Sequence, residues 1–285
     1  MTDRRPGGPS TGPGGRAPGA PGAAPQTVPE VVPEVVPEVV AMAWGLRPPP
    51  SRGPRRSFTL DQVVGAAVRL AATEGLAAVS MARVAQELGT GAMSLYRYVA
   101  TKDDLLLLMV DAAYGPAPEV VTEDWRVALA AWAVAGRDVL RRHPWVLRVP
   151  VPGPPVTPHQ LAWMEAGLRS LDGTPLAEIE RLLTIELVSG FVRSQAMLSA
   201  DVLAASTVPG SRAEQVLSRY GQVLGAVVDP ARFPAVHAVV ATGMLDGVAP
   251  GEQDEEDFDY SFDFGLGRVL DGIAALVDGR IAADA

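Results

Sequence analysis

Residues Ser80 to Lys102 read SMARVAQELGTGAMSLYRYVATK, two short apolar-patterned segments on either side of Leu88-Gly89-Thr90-Gly91. In the first segment Met81, Val84, Ala85 and Leu88 recur at helical spacing, and Gly89 stands where a helix commonly stops in a left-handed cap. In the second, Leu95 and Val99 are four apart and point to a core, which leaves Ala92, Met93, Ser94, Arg97 and Tyr98 on the opposite face. So short a helix cannot hold itself together in water; its neighbours must fix it while its outer face stays free. Two helices joined by a Gly-bearing turn, the second presenting small, polar and cationic groups, make a helix-turn-helix whose second helix fits a major groove.

The flanks agree. Thr59 with Gln62 is a capping-box pattern opening a first helix with the core face Leu60, Val63, Val64, Ala67, Val68 and Ala71, ending at Glu74-Gly75. Ser80 caps the second helix, the third runs from Ala92 to Tyr98 with Gly91 at its N-cap, and Thr101 with Asp104 starts a fourth that ends near Tyr114-Gly115-Pro116. The fourth helix is placed to connect this head to the remainder of the chain. An N-cap hydroxyl at a helix start also meets phosphates, so Thr59 and Ser80 are candidates for both duties.

The run Leu88-Gly89, Ser94-Leu95-Tyr96-Arg97-Tyr98-Val99 and Thr101-Lys102-Asp103-Asp104-Leu105 resembles the DNA-binding signature of TetR-type transcriptional repressors, over roughly Thr59 to Ala113. A weaker resemblance to the tetracycline-repressor-like C-terminal domain continues beyond it. The resemblance implies that the outward positions of the third helix face base edges and backbone: Arg97 toward guanine or phosphate, Ser94 toward either, Ala92 and Met93 toward a thymine methyl. It also implies that Tyr96 donates its hydroxyl to a phosphate and that Lys102 holds one at the start of the fourth helix; as bare sequence features Tyr96 reads equally as a half-buried core tyrosine and Lys102 as a solvated lysine. The candidate DNA-binding set is completed by Thr90 in the turn, by Met81 and Ala82 early in the second helix, and by Arg55 and Arg56. Tetracycline-type repressors carry polar or cationic groups where Met81 and Ala82 stand, so the operator code differs.

Residues 1–51 are dominated by Pro, Gly and Ala and contain the repeat Val28-Pro29-Glu30, Val31-Val32-Pro33-Glu34, Val35-Val36-Pro37-Glu38. Proline every fourth residue opposes helix and strand alike, so this extension is expected to be disordered. It leads into Arg52-Gly53-Pro54-Arg55-Arg56, either a basic arm on DNA or a solvated segment. Residues 52–115 form the head and 116–285 the body.

The body reads as helix throughout. A stripe from Trp125 through Leu129, Trp132 and Gly136 to Leu140 breaks at His143-Pro144; a Pro-rich loop from Pro150 to Pro158 precedes a helix from His159 to Leu171. Pro175 opens a long helix reaching about Leu203, and further helices fit Ser211 to Val227 and Pro234 to Leu245. An acidic loop, Glu252 to Asp259, precedes a last helix carrying Phe262, Leu266, Val269, Leu270, Ile273, Leu276 and Val277. No alternating strand pattern appears, so the expected fold is all-α. Trp125, Trp132, Trp145, Trp163, Met164, Phe191 and Met197 supply adaptable apolar surface, either plain core or the lining of a pocket for a small-molecule effector, which the resemblance places between these helices. The long and last helices have surplus apolar surface, and Ser189, Gly190 and Ser194 permit close approach, consistent with a homodimeric four-helix bundle.

The net charge of −9 is distributed unevenly. Residues 52–102 hold seven basic and three acidic side chains, whereas 103–285 hold 13 and 26. A basic head on an acidic body orients a protein on a polyanion. There are no cysteines, which excludes disulfides and thiolate metal sites, and the apolar runs are too short to span a bilayer, so a cytoplasmic protein with no membrane partner is expected. His143, His159 and His237 lack metal-ligand spacing, the stretch from Val149 to Pro155 lacks the histidine that ligates drug-bound magnesium in tetracycline-binding members, and no nucleophile with its base stands out. No metal, cofactor or catalytic residue is therefore expected. The reading is a ligand-responsive repressor that binds a double-stranded palindromic operator. The rival is an enzyme or small-molecule carrier that keeps its helix-turn-helix only as a packing device; a third reading is a scaffold recruited through the Val-Pro-Glu repeat.

Overall fold

The computed structural model describes residues 35–46, 58–119, 121–150, 153–204, 213–243 and 256–284, among which every regular element is helical. A short helix, α1 (Glu38–Ala43), precedes the head. The head is built as its capping signals direct. In α2 (Leu60–Glu74) the Thr59 hydroxyl accepts from Gln62 N while the Gln62 side chain accepts from Thr59 N, and Gly75 at φ 83° ends the helix. A short 3-10 turn, Leu76–Ala78, leads to α3 (Met81–Glu87), whose N-cap Ser80 accepts from Arg83 N. Gly89, at φ 66°, makes the sharp turn into α4 (Ala92–Leu95). Helix α5 (Lys102–Tyr114) opens on a reciprocal Thr101–Asp104 capping box.

The body continues with α6 (Trp125–Arg142), started by Asp124 accepting from Arg126 N and Val127 N. A 3-10 turn at Pro144–Arg148 connects it to α7 (Pro158–Arg169), followed by α8 (Glu178–Ala204), α9 (Ala213–Val227), α10 (Pro234–Ala241) and α11 (Glu256–Asp284). Helix α6 packs on α8, with α7 and α11 on its flanks. The approach is close where side chains vanish: a Cβ on Gly167 would lie 2.9 Å from the Trp132 ring, and one on Gly265 would lie 2.7 Å from the Phe191 ring. Head and body share one continuous apolar core.

Besides shifts of a few residues at the ends of α7 and α10, four features depart from the sequence reading. The third head helix is regular only over Ala92–Leu95, although Tyr98 N and Val99 N still donate to Leu95 O and carry the chain round one more turn. The long helix begins at Glu178 instead of Pro175, because the Glu180 carboxylate accepts from Ala177 N and caps the turn there. The last helix already includes Glu256 to Asp259, four residues assigned by sequence to an acidic loop. Helix α1 lies within the extension expected to be disordered, and its Val39, Val40 and Ala41 are buried. Its apolar face escapes the proline repeat: after Pro37 the chain has no proline before Pro48, and a neighbouring surface is available to cover Val39 and Val40. The first two Val-Pro-Glu elements and the arm with Arg55 and Arg56 lie outside the described residues, while the third, Val35 to Glu38, leads into α1.

Candidate nucleic-acid interface

The turn at α4 is anchored from behind. Leu95 and Val99 are both 0% exposed, sealed against the α2–α3 core that includes Val63, Val84 and Ala85. On the other side Met93 is 80% and Tyr96 48% exposed, and Arg97 is exposed beside them. Arg97 and Lys102 make no ion pair within the described residues, so both cations face solvent. Lys102 occupies the first turn of α5, where unpaired backbone N–H groups and the helix dipole favour an anion; Asp104 there is turned back onto Thr101 N by its capping bond. Arg83 is differently used: its guanidinium pairs with Glu74 at 2.6 Å and bonds Gln86, bracing α3 against the end of α2.

The candidate residues separate into groups. Met93, Tyr96, Arg97 and Lys102 are exposed, as are Ala82 and the capping residue Thr59. Ser80, Thr90, Ala92 and Ser94 are half-buried around them, the Ser80 hydroxyl already accepting the capping bond. Two members are corrected by the structure. Met81 is 8% exposed and belongs to the head core, because the first turn of α3 directs it inward with Val84 and Ala85. Tyr98 is half-buried and its hydroxyl donates to Phe58 O at 2.8 Å, tying α4 to the segment before α2 across 40 residues of sequence. That bond consumes the polar end of Tyr98 inside the head.

In the body, Trp132 and Trp163 do come together. Trp132 Nε1 donates to Trp163 O at 2.9 Å, Trp163 Nε1 donates to Gly115 O at 3.1 Å, and the Trp163 ring meets Tyr114 edge-on at 5.5 Å between centroids. Burial holds the Tyr114 hydroxyl's pKa above its ordinary value, opposed by the charge of Arg193. Phe191 belongs to a second cluster, 5.5 Å from Phe262, over whose ring Arg137 sits at 4.4 Å. Trp145 is buried in the 3-10 turn beside His143, and among the described residues neither Trp145 Nε1 nor His143 Nδ1 has a hydrogen-bond partner. Trp125, Met164 and Met197 are half-buried against the core. A cleft of about 420 Å³ opens elsewhere, between Pro118, Glu119, Ala162, Glu165 and Arg169, and includes none of the predicted residues. Sequence reasoning missed Tyr114 and Arg137, since a lone tyrosine at a helix end and one arginine in a stripe carry no pattern. Among the described residues no cluster of side chains is arranged to hold a metal ion, and no helix is long and apolar enough to cross a membrane.

Residues 63–109 match the model of bacterial regulatory proteins of the tetR family, and residues 117–277 match the tetracyclin repressor-like C-terminal domain. The HTH-type transcriptional repressor DrrR1 of Streptomyces coeruleorubidus is 37% identical over 246 residues, covering 85% of this chain and 86% of that one. An HTH-type transcriptional regulator of Saccharopolyspora erythraea is 34% identical over 137 residues, 47% of this chain and 58% of its own. Among solved structures, the Streptomyces coelicolor TetR family protein ActR in complex with actinorhodin superposes with a TM-score of 0.62 at 26% identity, over 77% of this chain and 97% of that one. The exposed Met93–Arg97 turn therefore sits inside a matched DNA-binding module, and the chain belongs to the TetR family of DNA-binding transcriptional regulators.

Proposed function

We propose that this protein is a homodimeric repressor whose two heads read half-sites of a palindromic operator and whose body releases DNA when it binds a small aromatic effector. The observation that carries this reading is the α4 turn, sealed behind by Leu95 and Val99 and open in front at Met93, Tyr96, Arg97 and Lys102. In B-DNA such half-sites lie about 34–36 Å apart, one helical turn, which two heads on one rigid body can span. Dimerisation is supported by the surface of α8, where Leu183, Leu187 and Leu198 are exposed at helical spacing with Gly190 and Ser194 between them, and by exposed Phe264 and Leu276 on α11. Two such helices from each copy would bury these stripes in a four-helix bundle.

The effector site is assigned to the body around Trp132, Trp163, Tyr114 and Trp145. Trp145 Nε1, without a partner among the described residues, suits an acceptor atom on the ligand, and the edge-on Tyr114 and Trp163 rings suit an aromatic body. A relative's structure holds actinorhodin, which makes that compound the first probe to titrate against the intrinsic tryptophan fluorescence. For release, the effector must favour a head arrangement mismatched to the operator by a few kcal/mol; equal affinity for both arrangements changes nothing. The protein is assigned to the cytoplasm and given no catalytic role. The deciding experiment is selection of duplexes from a random pool, followed by titration at several salt concentrations. A palindromic consensus with a steep negative salt dependence supports the reading, and a flat one supports the enzyme or carrier.

A further inference from the structure

Three ties converge where head meets body, and one of them comes from the N-terminal extension. Helix α1 buries Val39, Val40 and Ala41 and packs against α5. Immediately after it, Trp44 Nε1 donates to Val156 O at 2.8 Å, across 112 residues of sequence. Gly45, at φ 63°, turns the chain, and Leu46 N donates to Ala41 O at 2.9 Å to close the end of the helix. Val156 lies in the segment that enters α7, and α7 is itself bound to α5. The carboxylate of Asp111, buried on α5, accepts from His159 N at 2.9 Å and Gln160 N at 3.1 Å, and lies 2.9 Å from His159 Nδ1. One turn further on, Trp163 of α7 donates to Gly115 O at the end of α5.

Helix α5 is the covalent link from head to body, so any swing of the head relative to the body passes through it. Because α1 grips α5 on one side and the entrance of α7 on the other, such a swing must slide Val39 and Val40 along α5 or break the Trp44–Val156 bond. A helix of six residues has no stability of its own in water, so residues 38–46 are ordered by that docking surface. We propose that α1 is a strap that fixes the angle of α5 against the body, holding the head in one orientation while docked and freeing it when undocked. The head and body need no part of α1 to complete their own helix caps. Their cores are closed mainly by α2–α5 and by α6, α7, α8 and α11.

The strap goes beyond the repressor reading, and its primary test needs neither DNA, dimer nor effector: amide hydrogen exchange on the full chain. Val40→Asp places a charge in the buried face of α1. We expect residues 41–46 to lose protection and the exchange of 105–114 and 157–161 to rise roughly tenfold, with α2 and α8 unchanged. Affinity for duplexes selected by the wild-type protein should then fall at least about fivefold, while affinity for random duplexes is unchanged. Unaltered exchange in α5 with 41–46 unprotected would make α1 a passenger and overturn the strap. Should α8 also lose protection, showing a general loss of fold, Trp44→Ala decides: it removes one donor and its packing without adding charge, and wild-type exchange in α5 in that variant also overturns the proposal.

Discussion

Arg97 and Tyr98 are neighbours with opposite employment. The Arg97 guanidinium is exposed and makes no ion pair among the described residues, whereas the Tyr98 hydroxyl is bonded to Phe58 O. Arg97→Ala should therefore weaken binding to selected duplexes by ~1–3 kcal/mol if it pairs with a base, and leave thermal stability unchanged. Titration of both variant and parent against the selected consensus checks it, and equal affinities would remove Arg97 from the interface. Tyr98→Phe should do the converse: head stability falls by about 1 kcal/mol as Phe58 O loses its donor, while the sequence preference stays the same, measured by thermal melting and repeat selection. The spacing of Leu95 and Val99 made the outward face of this turn legible in advance. It could not separate Tyr98 from Arg97, because the partner of Tyr98 lies 40 residues upstream. Met81 was misplaced for a related reason: its position in the first turn of α3 suits either groove or core, and only packing against Val84 and Ala85 selects the core.

Among the elements, caps were more legible than ends. Thr59, Ser80, Thr101 and the glycines at 75 and 89 all act where the sequence places them, since each satisfies a backbone group within four residues. Helix α1 was illegible because its stability comes from α5 and Val156, far along the chain, and a proline-rich context masks its apolar face. Close packing was equally hidden. Gly167 lies against Trp132 and Ile185, so Gly167→Ala should force the α6–α7–α8 contact apart and cost ~1–3 kcal/mol, read as a lower melting temperature with the helix content retained. For α8, Leu187 is exposed in the protomer, so Leu187→Asp leaves the protomer's own core intact. The expected result is a folded monomer in sedimentation with much weaker operator binding; a dimer that survives places the interface off α8. Leu270, by contrast, is buried against the protomer's core, and a charge there would test folding instead of association.

At the scale of the whole molecule, the division into basic head and acidic body could be read from charge alone, but the balance of forces that sets its pH range could not, because it depends on contacts between distant helices. His143, between α6 and the 3-10 turn, has its pKa held below the ordinary 6.5 by burial, with the charge of Arg142 adding to it. The unfolded chain therefore takes up that proton first, and the stability His143 contributes is complete above about pH 6.5 and is lost as pH falls through the lower folded value. Glu180 titrates in a lower window. Its carboxyl is held below 4.5, chiefly by the hydrogen bond from Arg280 that ties α8 to α11, then by the bond from Ala177 N. That contribution is present above about pH 4.5 and is lost below it. Both groups make the body less stable in acid, the loss from His143 setting in below about pH 6.5 and that from Glu180 only below about pH 4.5. Denaturant melts across pH should thus show two declines: His143→Phe, which keeps a ring against Trp145, should flatten the first and spare the second, and Arg280→Gln should do the reverse. A first decline that persists in His143→Phe would move its origin to another group. Because α8 and α11 carry the exposed leucines and phenylalanine proposed for dimerisation, the second decline should also depend on protein concentration, and the first should not.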